Sequence, residues 1–76
     1  MDIKDFVVNF ADQLDDVDAS TLNPDTAFRE LDEWSSLAAL SVMAMVSEEY
    51  DVELTAEEMR SASTIKDLYD IVNSYL

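Results

Sequence analysis

Apolar residues recur along this chain at the spacing of helices. Ile3, Phe6, Val7, Phe10, Leu14 and Val17 lie three or four positions apart, which makes one face of a helix. Asp2 is placed to cap it, and Asp5 falls in its first turn, where a carboxylate is favourable. The run closes in DDVDAS, Asp15 to Ser20. Acids at a helix C-terminus oppose its dipole, so this helix is expected to end near Leu14 to Asp16. A long connection follows, Asp18 to Trp34, with the single proline, Pro24, behind Asn23; both disfavour helix. Leu22, Phe28 and Leu31 are spaced to pin this connection to a core, with one short turn expected within Thr26 to Leu31.

The second helix, expected over Ser36 to Tyr50, carries Leu37, Leu40, Val42, Met43, Met45, Val46 and Tyr50. Its apolar arc is wide, which predicts a central element, and Ser35 is well placed as its N-cap. Thr55-Ala56-Glu57-Glu58 is a capping-box pattern opening a short helix with Met59. Ser63 or Thr64 is the expected cap of a last helix with Ile65, Leu68, Tyr69, Val72, Tyr75 and Leu76 on one side. The predicted fold is all-α: a four-helix bundle, residues 1–76 as one domain, with a long first loop and a short third helix.

Composition narrows the chemistry. The chain has 76 residues, 18 acids, 4 bases, a net charge of -14, and no histidine, cysteine or glycine. Without cysteine there is no disulfide, thiol nucleophile or zinc knuckle. Without histidine the usual general base and the commonest metal ligand are missing. Without glycine there is no phosphate-cradling loop or dinucleotide fingerprint. The charge repels a phosphate backbone, which argues against nucleic acid, and attracts basic proteins. Hydrophobic residues make up 49% of the chain and fall in periodic stripes, unlike an acidic disordered tail. The longest apolar stretch, Leu37 to Val46, spans ten residues and is interrupted by Ser41. That is far short of the roughly 18 of a membrane span. The start, MDIKDF, has neither a basic nor an apolar leader segment, so a cytoplasmic chain is expected.

Four features are candidates for chemistry. Asp16, Asp18 and Ser20 match positions 1, 3 and 5 of a calcium loop, but Thr21 stands where glycine is needed and Ala27 where glutamate is needed. A solvated acidic loop is the better reading, and no metal site is expected. The acid pairs Asp32/Glu33, Glu48/Glu49 and Glu57/Glu58 lie in polar segments, with nothing to raise one pKa selectively as paired catalysis requires. No catalytic residue is assigned. Met43, Met45 and Met59 fit an adaptable cavity or an ordinary core. The fourth is Trp34-Ser35-Ser36-Leu37, where a polar loop enters the most apolar helix. With Ser35 as cap, its oxygen turns onto backbone N–H groups and Ser36 takes the first helical position with its hydroxyl toward solvent. A phosphate ester there meets unsatisfied N–H groups and the positive end of the helix dipole. On the residues alone, the simpler alternative is that both serines serve as caps.

The stretch FRELDEWSSLAALSVMAMVSEEYDVEL resembles the modification helix of acyl carrier proteins. That family typically shows Asp-Ser-Leu, an amphipathic run, then an acid and an aliphatic residue. Here Ser36-Leu37 supplies the Ser-Leu, Leu40 to Val46 the apolar run, and Ser47 to Asp51 the acidic-aromatic end. The likeness extends over essentially the whole chain, through the loop with Phe28 and Leu31, the TAEEM helix and the STIKDL start of the last helix.

The resemblance implies that Ser36 receives 4′-phosphopantetheine from coenzyme A, through a separate Mg²⁺-dependent phosphopantetheinyl transferase. It implies that Leu37, Leu40 and Glu48 form the face gripped by acyl-loading and acyl-processing enzymes of fatty-acid or polyketide type. A cavity between the second and third helices, bordered by Met43, Val46 and Met59, would shelter a short acyl chain. The expected protein is a monomeric, non-enzymatic carrier. Departures from the family pattern are Ser35 in place of an acid, Ala38, Ser41 and Ser47 in place of acids, Ala44 in place of methionine, and Trp34 where something small is usual. They leave the docking helix nearly neutral between Leu37 and Ser47, which points to a discrete carrier of a dedicated pathway. An aminoacyl, aryl or D-alanyl carrier using Ser36, and an unmodified acidic adaptor, are the alternatives.

Overall fold

The protein is described by a computed structural model that covers residues 2–15 and 17–76. Among these residues the chain forms four α-helices and no strand: α1, Ile3–Ala11; α2, Ser36–Tyr50; α3, Ala56–Ser61; and α4, Ile65–Ser74. Two single 3-10 turns, Ala19–Thr21 and Phe28–Glu30, lie within the long connection. Among the described residues no helix is long and apolar enough to cross a membrane.

The first helix is shorter than its hydrophobic spacing predicts. It stops at Ala11, and tighter bonds then take over: Gln13 N–H donates to the Phe10 carbonyl at 3.1 Å and Leu14 N–H to the Ala11 carbonyl at 3.0 Å. The last turn contains no basic residue to offset the dipole, and Asp12 and Asp15 follow it. Leu14 nonetheless stays in the core, 6% exposed, so burial outlasts the helix that brought it there. Asp16 lies outside the described residues, as does the first ligand position of the calcium loop.

One core serves all four helices. Phe6 and Phe10 from α1, Val42 and Val46 from α2, and Ile65, Leu68 and Val72 from α4 are fully buried around Phe28 of the connection. At about 1.5–3 kcal/mol for each large side chain removed from water, these positions dominate what stability so small a domain has. Ring contacts order the cluster. Phe10 and Phe28 meet edge-on at 5.3 Å, and Trp34 stacks on Phe10 at 5.9 Å and meets Phe28 edge-on at 4.8 Å. Tyr75 and Leu76, expected on the inner side of α4, are instead 57% and 64% exposed. The helix ends at Ser74 and its inward stripe ends with it.

Leu22 and Phe28 are buried and Leu31 is half-buried, so the connection is pinned as the spacing predicts. It is also stitched to α4 through the backbone. The N–H groups of Ile65 and Lys66 donate to the carbonyls of Thr26 and Pro24 at 3.1 and 2.8 Å. Two donors that a helix start leaves open are thereby satisfied. At the other end of α2, Asp51 closes the helix at φ 57°, a left-handed conformation that glycine adopts most readily and aspartate tolerates.

Candidate functional site

The site grows from the way α2 begins. Trp34 is anchored on Phe10 and Phe28, which fixes where the chain turns toward the helix. Ser35 follows in extended conformation, and its hydroxyl oxygen accepts the N–H of Ala38 at 3.1 Å. Its carbonyl accepts the N–H of Ala39 at 3.0 Å. Ser35 is therefore occupied as the cap. Ser36 is the first residue of the helix and is exposed, and its hydroxyl makes no hydrogen bond among the described residues. The N–H groups of Ser36 and Leu37 belong to the unsatisfied donors of the helix start.

The two serines face different surroundings. Ser35 borders a small polar cleft of about 100 Å³ that includes Asp15 and Glu33. Ser36 borders a groove of about 360 Å³ between α2 and α3, floored by Ala39, Leu40, Met43 and Met59. That volume lies at the lower end of the range for sites that take a small ligand. Met43 and Met59, anticipated as cavity residues, line this groove. Val46, anticipated with them, does not: it points into the core and is fully buried. Ala56 and Arg60 line the groove as well, and spacing in the sequence did not single them out. Arg60 follows directly after Met59 in TAEEMR, so the capping-box helix itself was the available signal.

Beside the groove, and sharing Leu40 with it, α2 presents an exposed face. Leu37 and Leu40 are 73% and 62% exposed, and Glu48 is exposed. Leu37 and Glu48 are eleven positions apart, which puts them on nearly one line along the helix, roughly 16 Å from each other. Leu40, Ala44 and Ser47 flank that line.

This arrangement suits acceptance of a group from outside. A free hydroxyl stands on a helix start, beside an apolar groove, with no acid in the first turn of α2 to repel an incoming phosphate. A family model for the phosphopantetheine attachment site matches residues 5–72. The chain belongs to that family. It therefore contains a site of covalent 4′-phosphopantetheine attachment, and its all-helical architecture is that of an acyl-carrier-type bundle. No curated protein and no solved structure matches the chain. Carrier domains of this family are generally non-catalytic and work with a phosphopantetheinyl transferase and with acyl-handling enzymes. The residues at the start of α2 fit the group: an open hydroxyl, open N–H donors and a neighbouring groove.

Asp2, Asp18, Glu58 and Asp67 hold caps or turns. Asp18 accepts the N–H of Ser20 at 2.9 Å, which holds its carboxyl below the ordinary range. Among the described residues no group of three or more acids converges on a point where a metal ion would sit.

Proposed function

We propose that this protein is a discrete acyl carrier whose Ser36 hydroxyl bears the phosphopantetheine arm, serving a dedicated pathway of fatty-acid or polyketide type in the cytoplasm. The observation that carries the reading is the division of labour between adjacent serines: Ser35 is consumed as the helix cap, while Ser36 is exposed with its hydroxyl free. In the transferase reaction the Ser36 oxygen bonds to the phosphorus of coenzyme A that bears the pantetheine. The bond from that phosphorus to the nucleotide part breaks, and the hydroxyl proton leaves to the transferase. When attached at Ser36, the arm would supply a terminal thiol on which an acyl group could be carried as a thioester.

The chain's own residues position and present. The first turn of α2 holds the attachment point rigidly, and the positive end of the helix lies toward the phosphate. Leu37 and Leu40 offer an apolar contact to partner enzymes, and Glu48 offers one charge to a partner's arginine or lysine. Because that face is nearly neutral, shape and apolar contact set partner choice more than ion pairs do. The groove walled by Met43 and Met59 shelters a short acyl chain. The test is intact-mass measurement after incubation with coenzyme A and a broad-specificity transferase. One phosphopantetheine is expected on the wild type and on Ser35→Ala, and none on Ser36→Ala. An unchanged wild-type mass with several transferases overturns the reading. The cargo is then read from the loaded arm of protein purified from its host.

A further inference from the structure

Four cations stand against 18 acids in this chain, and one of them shares a groove with Ser36. Lys66 is held by Asp70 at 2.9 Å, and Lys4 borders a separate depression beside α1 with Val7 and Val8. Arg29 sits in the second 3-10 turn. Arg60 is exposed, makes no ion pair or hydrogen bond among the described residues, and lines the α2–α3 groove with Ser36 at its edge. The rest of that lining is alanine, leucine and methionine, with no carboxylate for the guanidinium to meet. Arg60 lies in the last turn of α3, where a cation complements the helix dipole, but that role does not require the guanidinium to border the groove. The position of Arg60 on the groove calls for another explanation.

Modification of Ser36 supplies one. The phosphorus of the arm lies one bond from the serine oxygen, so its location is set by Ser36 whatever the arm carries. It brings a further negative charge to a surface of net charge -14. A guanidinium presents planar, paired donors that match two phosphate oxygens. We propose that Arg60 clamps the phosphodiester of the arm attached to Ser36, bending the arm over the α2–α3 groove toward Met43 and Met59. This rests on Ser36 being the attachment point. It makes Arg60 a positioning residue for the arm and orders its first segment without a transferase or partner present.

The test uses holo protein prepared from wild type, Arg60→Ala and Arg60→Lys, with intact mass recorded first. If wild type takes up no phosphopantetheine, the attachment reading and the clamp fall together. With modification established, the ³¹P resonance of the wild-type diester is expected to differ from that of the urea-unfolded holo chain. In Arg60→Ala it moves most of the way to the unfolded value, and Arg60→Lys is intermediate. The melting temperature of holo minus apo is expected to fall by about 2–4 °C in Arg60→Ala, as for one exposed, charge-assisted contact in a domain this small. Apo wild type and apo Arg60→Ala should melt alike, which separates the clamp from a folding defect. Identical ³¹P shifts and identical holo-minus-apo differences in wild type and Arg60→Ala overturn the clamp while leaving Ser36 in place. An effect seen only when the arm holds a carboxylated acyl group also overturns it, and assigns Arg60 to the cargo instead.

Discussion

The starts of α2, α3 and α4 are built differently. At α3, Thr55 accepts the Glu58 N–H at 3.1 Å while Glu58 accepts the Thr55 N–H at 2.9 Å. At α4, Thr64 accepts the Asp67 N–H at 3.1 Å, and Asp67 accepts the N–H groups of both Thr64 and Ser63 at 3.1 Å. Both ends are closed reciprocally by a hydroxyl and a carboxylate. At α2 the hydroxyl cap is present but its return partner is not, because the third helical position is Ala38, 6% exposed and packed in the core. A carboxylate there would be buried, so this start stays open and free of resident charge. Among the described residues, α2 is the one α-helix with no acid in its first turn, and Ser36 begins it. Closed starts serve stability, and an open one leaves room for an anion brought by another protein.

The largest effects that probe this contrast come from the cap itself. Ser36→Ala leaves the Ser35 cap intact and is expected to change stability little while losing the modification entirely. Ser35→Ala does the opposite. It removes the acceptor of the Ala38 N–H and is expected to cost about 1 kcal/mol, a fall of about 4–8 °C in melting temperature, with modification retained. Thermal melts and intact mass on the same two proteins check both halves. If Ser35→Ala lost modification without losing stability, the assignment of roles to the two serines would have to be reversed.

A middle-sized effect comes from pH. Glu58 is held below the ordinary carboxylate range, first by the hydroxyl of Tyr75 and then by the Thr55 N–H. Asp67 is held down by the N–H groups of Ser63 and Thr64. A carboxyl whose folded pKa is depressed contributes stability that is complete above its unfolded value, near about 4, and is lost as pH falls through the folded value. The closed starts of α3 and α4 should therefore fray below about pH 4, whereas the cap of α2 contains no titrating group. Amide exchange between pH 5 and pH 3, corrected for intrinsic rates, is expected to show protection falling at Thr55, Ser63 and Thr64 and held longer at Ala38. Uniform loss at all four amides would mean that the domain unfolds as a unit and that the caps do not differ.

How much of this was legible in the residues follows from what each feature depends on. The bounds of α2 and the cap at Ser35 agree with the sequence reading, because a serine before a long apolar run is a local signal. The capping box at Thr55 is equally local. Apolar spacing carries α1 past its true end at Ala11, because it persists through Leu14 and Val17 after the helix has stopped, and a side chain can be buried from a turn as well as from a helix. Tyr75 and Leu76 were misplaced for the same reason, since periodicity does not say where a helix ends. The backbone bonds from α4 to Thr26 and Pro24 join segments some forty residues apart and leave no trace in spacing. The exposed helix start at Ser36 and the groove lined by Met43 and Met59 lie where pattern and resemblance lead one to look. Arg60 follows Met59 in the TAEEM helix, a local signal that hydrophobic spacing does not use, while the inward turn of Val46 depends on how the helices pack.

The smallest effect is the sharpest probe of the open start. Leu37 occupies the second helical position and is 73% exposed, so replacing it disturbs little packing. Leu37→Glu places a carboxylate on the uncovered first turn of α2, and the dipole should return about 0.3–1 kcal/mol in the apo protein at moderate salt. Repulsion from the chain's other acids works against this gain but is screened beyond about 8 Å at physiological ionic strength, whereas the first-turn interaction is local. In the modified protein the phosphodiester already occupies that field, so the gain should shrink or change sign. The comparison is the difference in melting temperature between Leu37→Glu and wild type, measured in apo and holo forms. A stabilisation of equal size in both would mean that the phosphate does not lie at the start of α2, and that the missing carboxylate there reflects only the packing of Ala38.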